Sequence, residues 1–205
     1  MSEDRIVRYT FRERVMHWLA GFTYLYLLIS GLAFFAPQLY WMAATLGGGA
    51  SARFWHPWVG LAFTIAMVWM HQTWRADMRI TETDRRWTRA IRNYIENKDE
   101  EVPPSDRFNA GQKQFYWVMF ISTILLLLSG LAMWFPEYLP PGLRPAAVVI
   151  HEVAALVTIG AFIIHVYMGL FMVPRGFTAI VHGYVPAQWA RMHHRLWFNR
   201  ITTRE

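Results

Sequence analysis

Two histidines, His151 and His165, stand fourteen residues apart in the apolar segment 146–173, which holds one acid (Glu152) and no lysine or arginine. An imidazole can ligate a metal, carry a proton or hydrogen-bond a neighbour, and inside a membrane any of these needs a partner. At about 100° per residue, fourteen residues return to within about 40° of the starting face and advance about 21 Å along a helix axis. One ring therefore belongs near one membrane surface and the other towards the opposite one.

The elements that must hold such rings are long and apolar. Hydrophobic residues make up 55% of the 205, with 11 Trp, 14 Phe and 9 Tyr. Four segments, 16–36, 55–74, 115–135 and 146–173, are long enough to cross a hydrocarbon core of about 30 Å. Apolar residues surround each of them, with Trp and Tyr at the ends, which excludes a water-soluble helical core. The expected fold is an all-α integral membrane protein, a four-transmembrane-helix bundle forming one domain over 1–205. The first segment reads as an uncleaved span, being too long for the apolar part of a signal peptide. There is no cysteine. That excludes disulfides, cysteine-ligated iron–sulfur clusters and covalently attached c-type haem.

Charge placement orients the bundle. The net charge is +6, yet the basic residues are not spread along the chain. Four of the twenty lie in 1–15, nine in the loop 75–114 and five in the tail 174–205, against Arg53 and Arg144 alone in the alternate loops. That asymmetry puts both termini in the cytoplasm, and it points to a membrane rather than to nucleic acid. Within 75–114, Trp87, Ile91, Tyr94 and Ile95 recur at helical spacing beside Arg85, Arg86, Arg89 and Arg92. This predicts an amphipathic helix on the inner leaflet, broken by Lys98–Pro104.

Depth then sorts the histidines. His56 and His151 fall near the outer surface, and His17 and His165 near the inner one. Two level pairs of imidazoles on apolar helices suit bis-histidine ligation of two b-type haems. Gly21, Gly60 and Gly169 lie one turn beyond His17, His56 and His165 and would ease the approach of a flat ring. His71 competes at the inner level, but Arg75 would crowd a haem there. His182, His193 and His194 read as surface or partner contacts. A non-redox transporter using histidine for protons or metal is the rival class. Electrons reaching the inner pair need an acceptor, and a quinone entering from the lipid suits. Asn109 and Gln112 could supply it with amide donors. The same two residues, set just before an apolar run, also suit a capping box, and spacing alone leaves the two roles level.

His17-Trp18, His56-Pro57, Asn109-Ala110-Gly111-Gln112-Lys113, the His151…His165 pair and the W-A-R-M-H-H tail carry a likeness. Together they resemble the gamma (cytochrome b) subunit of respiratory membrane-bound formate dehydrogenase, over nearly the whole chain. Cytochrome b subunits of nickel–iron hydrogenases and thiosulfate reductases share the plan. The resemblance implies two haem b groups and an iron–sulfur beta subunit beside a molybdenum- or tungsten-pterin alpha subunit on the outer face of a bacterial inner membrane. It implies menaquinone or ubiquinone as the electron acceptor, and it favours the quinone role for Asn109 and Gln112, with Gly111 allowing close approach. The chain would then be the quinone-reducing subunit. Nothing in the sequence itself could oxidise formate.

Overall fold

The computed structural model describes residues 5–96 and 98–203, so the chain ends expected in the cytoplasm lie outside the described residues. A strand, β1 (Arg5–Val7), precedes the first long helix, α1 (Phe11–Phe35). A 3-10 run over Pro37–Leu46 leads to α2 (Gly49–Trp74), followed by the short helices α3 (Glu82–Arg89) and α4 (Ile91–Ile95). Then come α5 (Ala110–Trp134) and α6 (Leu143–Tyr167), the latter prolonged by a π-helical turn over Met168–Met172. The tail folds as α7 (Gly176–His182), β2 (Tyr184–Pro186), α8 (Ala187–His193) and α9 (Arg195–Thr202).

Among the described residues, three helices are long and apolar enough to cross a membrane: Phe11–Phe35, Ala110–Trp134 and Leu143–Met172. The expected second span, within α2, has the length at 26 residues but less apolar character. His56, His71, Gln72 and its tryptophans dilute it. It also begins earlier than the apolar run suggests, because Gly47 (φ 83°) and Gly48 (φ 93°) make the left-handed turn that launches it. Pro57 therefore lies inside the helix rather than in its first turn, and removes one backbone hydrogen bond there.

Packing divides the chain into two compact units. One comprises 15–72 and 118–163. In it Tyr24 of α1 rests against Phe63 of α2 and Phe162 of α6, with ring centres 5.7 and 4.9 Å away. Its hydroxyl reaches Thr158 Oγ1 at 3.2 Å, which in turn bonds the Ala155 carbonyl at 2.7 Å. Three helices are thus pinned around one phenol.

The other unit comprises 1–14, 73–117 and 164–205 and is rich in buried polar groups. β1 pairs antiparallel with β2, with Ile6 opposite Val185, a two-stranded ribbon that the short polar ends did not announce. The basic loop is helical, as two short helices where one was expected. It breaks at Ala90 into α3 and α4, and Trp87 is buried, packed on Tyr94 with ring centres 4.8 Å apart. Lys113 is buried too, its ammonium donating to Asp84 Oδ2 at 2.7 Å and to the Arg79 carbonyl at 3.0 Å. A buried lysine must be so paired. Asp84 also caps α3 in a reciprocal box with Thr81. Burial alone would raise its carboxyl, but Lys113 and the Thr81 bonds hold it below the usual range.

His194, expected at the surface, is buried at 3% exposure. Nδ1 lies 2.6 Å from the Asp106 carbonyl and Nε2 lies 3.0 Å from an Arg8 guanidinium nitrogen. A carbonyl only accepts and a guanidinium only donates, so the ring is neutral with its proton on Nδ1. Burial first, and then the adjacent Arg8 charge, hold it well below the usual histidine range. The consequence for stability has a definite sign. The unfolded ring takes a proton near pH ~6.5, whereas the native ring refuses it until far lower pH. The stabilisation is therefore complete above pH ~6.5 and is lost as pH falls below it. Thermal unfolding in detergent should show a loss of about 1.4 kcal/mol per pH unit below that point from this group. His194→Gln should be less stable at neutral pH and lack that part of the slope.

A candidate pair of metal-ligating histidines

The two histidines expected near the outer surface come together within the apolar unit, 15–72 with 118–163. His56 on α2 and His151 on α6 have ring centres 6.3 Å apart, at an interplanar angle of 55°. A metal–imidazole bond is about 2.0–2.1 Å, and a ring centre lies about 1.1 Å beyond its nitrogen. Two imidazoles on opposite faces of one ion thus hold their centres about 6.2–6.4 Å apart. The observed spacing fits a shared axial metal. Among the described residues, no three His, Cys, Asp or Glu side chains gather to hold a bare ion. Two lone imidazoles suit a metal whose other donors come from a macrocycle, as the iron of haem b does.

Ligation through Nε2 requires the ring proton on Nδ1, and each Nδ1 has a serine oxygen within hydrogen-bond distance. His56 Nδ1 is 2.7 Å from Ser30 Oγ on α1, and His151 Nδ1 is 2.9 Å from Ser129 Oγ on α5. Each serine has one hydroxyl proton, and each directs it to its own helix backbone. Ser30 donates to the Tyr26 carbonyl at 2.8 Å, and Ser129 to the Leu125 carbonyl at 2.6 Å. With the hydroxyl protons so directed, each serine oxygen is placed to accept from Nδ1–H, which leaves the lone pair on Nε2. The residue after each serine is a glycine that lies against the same ring. A Cβ on Gly130 would stand 3.3 Å from His151 Cε1, and one on Gly31 would stand 3.9 Å from His56 Cε1. They stand beside the imidazoles, whereas Gly21, Gly60 and Gly169, expected to ease the approach of a flat ring, border open space: Gly60 meets only Leu27, at 4.0 Å, and a Cβ at Gly21 or Gly169 would touch nothing within 4 Å. The serine–glycine arrangement has a signal in the sequence: Ser-Gly-Leu-Ala occurs at 30–33 and again at 129–132.

The remaining candidates are placed as follows. His17 lies edge-on to Trp18, with ring centres 5.5 Å apart, in the apolar unit. His165 lies flat on Phe115 at 4.2 Å, in the polar unit. Their pairing rests on helical register alone. His71 is stacked on Phe120 at 4.3 Å. Asn109 and Gln112 form the reciprocal capping box: Gln112 N–H donates to Asn109 Oδ1 at 2.9 Å and Asn109 N–H donates to Gln112 Oε1 at 3.0 Å. Both side-chain oxygens are thereby used; the Asn109 amide nitrogen also donates to the Tyr94 hydroxyl at 3.5 Å, so its second N–H and the Gln112 amide are what the pair has left to offer a ligand. Gly111 packs beneath Trp87, where a Cβ would meet the indole at 3.5 Å. A cavity of about 40 Å3 is lined by Asn109, Gln112, Tyr94, Arg8, His193 and His194, among others. That is room for a water or two.

The sequence profile of the family described as prokaryotic cytochrome b561 matches residues 8–185. The chain is 35% identical over 202 residues to the cytochrome b556(fdo) subunit of formate dehydrogenase from Escherichia coli strain K12, covering 97% of this chain and 94% of that one. It is 30% identical over 209 residues to the nitrate-inducible cytochrome b556(Fdn) subunit of formate dehydrogenase from the same strain, covering 100% and 96%. To the formate dehydrogenase cytochrome b556 subunit of Haemophilus influenzae it is 26% identical, covering 96% and 84%.

The two ring-facing glycines should differ on substitution. Gly31→Ala adds a methyl at ordinary contact distance and improves helix propensity, so stability should hold or rise by up to about 1 kcal/mol. Gly130→Ala must displace His151, and overpacking of this kind costs about 1–3 kcal/mol. Thermal unfolding of the two variants side by side reads the difference, and equal melting temperatures would contradict the geometry.

Proposed function

The chain belongs to the prokaryotic cytochrome b561 family, and from that premise we propose that it is the membrane cytochrome b subunit of a formate dehydrogenase complex, passing electrons to a quinone. The observation that carries this is the His56–His151 pair, spaced for one axial metal, with a serine oxygen beside each Nδ1. His56 and His151 hold the outer haem b, and His17 and His165 hold a second, inner one. The haems supply one-electron carriage; the protein supplies the ligands, and helices that keep the two levels about 21 Å apart. The fourteen-residue spacing of His151 and His165 survives in the uninterrupted helix α6.

In this reading α2 is the fourth span, and both termini face the cytoplasm of a bacterial inner membrane. The electrons come from an iron–sulfur beta subunit, itself fed by a molybdenum- or tungsten-pterin alpha subunit, both outside. The relatives named above favour this donor over a hydrogenase or a thiosulfate reductase.

Haem stoichiometry tests the ligand assignment. Reduced-minus-oxidised spectra of the purified chain should give two low-spin b-type centres. His56→Ala or His151→Ala should remove one, His17→Ala or His165→Ala the other, and His71→Ala neither. A single centre, or none, would overturn the assignment.

Reduction of menaquinone or ubiquinone belongs at the inner end, where the Asn109 and Gln112 amide groups donate to the carbonyl oxygens and Gly111 lets the ring come close. A cavity of about 40 Å3 must open for a ring to enter. Because the cap uses the oxygens and the ligand would use the N–H groups, the two roles separate cleanly. Asn109→Asp and Gln112→Glu keep the capping oxygens. Both should leave thermal stability and haem content near the parent values while slowing quinone reduction at least tenfold. Parent-like rates in both variants would place the quinone elsewhere.

A further inference from the structure

Ser30 and Ser129 share a geometry that helix packing alone does not require. A serine in an apolar helix usually satisfies itself by donating to the carbonyl one turn back, and both do so. Self-satisfaction needs no histidine. Yet each oxygen lies at hydrogen-bond distance from an Nδ1, each on the helix that precedes its histidine's helix in the chain. Exposures of 0% and 5% leave water no access to take over either bond. The adjoining glycine lets each ring lie close enough for the bond to form. The arrangement occurs twice, α1 to α2 and α5 to α6, within the repeated Ser-Gly-Leu-Ala.

We infer that Ser30 and Ser129 are a matched pair of positioning residues that present Nε2 of His56 and His151 to one iron and set that iron's reduction potential. This rests on the reading of His56 and His151 as axial ligands. A ligating imidazole whose other N–H is held by an acceptor is oriented and made a stronger electron donor. Stronger donation from two axial rings favours the oxidised iron, so each serine pulls the potential down. The glycines make no such bond. Their part is steric, and neither exchanges a proton or an electron.

The test uses the full chain with its haems, titrated potentiometrically while both b-type centres are followed optically. In Ser30→Ala and in Ser129→Ala the outer centre should move to a more positive potential, the double variant should move further, and the inner centre should stay at its parent value. Low-temperature spectra of the oxidised outer centre should shift with it, as the axial rings lose donor strength. Should an alanine variant lose the outer haem, Ser30→Cys and Ser129→Cys keep the side chain's shape with a weaker acceptor. They should then show a smaller shift in the same direction. An outer centre that keeps its parent potential in the variants that retain it overturns the inference and leaves the ligand assignment intact. A parent protein with no outer centre instead removes the reading beneath it.

Discussion

A polar group carried into hydrocarbon must find its partner within the protein, and much of this structure follows from that requirement. The hydroxyls of the long helices meet it by donating backwards: Thr23 to Leu19, Thr64 to Gly60 and Thr123 to Met119, at 2.7–2.9 Å. A hydroxyl so used has no proton left and can only accept. An imidazole beside it must then turn a protonated nitrogen towards it. Back-bonding at Ser30 and Ser129 therefore does more than quiet two serines: it turns each oxygen into an acceptor beside Nδ1 of His56 or His151.

The same requirement takes another form where the helices emerge. The first N–H groups of a helix have no partner within it, and three N-termini in the polar unit solve this with reciprocal boxes. Thr10 and Glu13 close α1, Thr81 and Asp84 close α3, and Asn109 and Gln112 close α5. Two of these boxes serve a second purpose. Glu13 Oε1 also accepts from Trp74 at 2.6 Å and from Arg107 at 2.7 Å, while Asp84 takes the Lys113 ammonium. Each acid thus ends one helix and ties it to a distant stretch of chain. The third box carries no charge, and beyond its two oxygens it gives one amide bond, from Asn109 to the Tyr94 hydroxyl at 3.5 Å.

Arg107 extends this network, bonding Glu13 and Asp77 and giving a further bond to the Arg8 carbonyl. Burial opposes its charge, but the two acids more than offset that and hold the guanidinium above its usual range. Arg8 lies between the rings of Tyr9, Trp189 and Trp197 at 5.0–5.4 Å while donating to His194. Arginine suits both positions, because its planar fork stacks on aromatic rings and bonds in several directions at once. The tail is thereby anchored to the start of the chain through side chains, alongside the β1–β2 ribbon.

How much of this could be read beforehand follows the range of each interaction. Helical period placed His151 and His165 on one face, and the run of apolar residues marked out α1, α5 and α6, because both are properties of a single segment. The level of His56 with His151 followed once the helices were in hand, since depth is set by counting residues from a boundary. What escaped was decided between segments. Trp87 is inward because Tyr94 and the start of α5 offer it a face, whereas its spacing with Ile91 served a lipid surface equally well. His194 is buried because Arg8 and Asp106, far from it in sequence, each complete one of its nitrogens. Ser30 and Ser129 looked like ordinary helix serines, and only the approach of a second helix gives each oxygen a donor to accept. Sequence determines periodicity, length and charge along a chain; which buried nitrogen meets which oxygen is a matter of packing, and only the tertiary structure decides it.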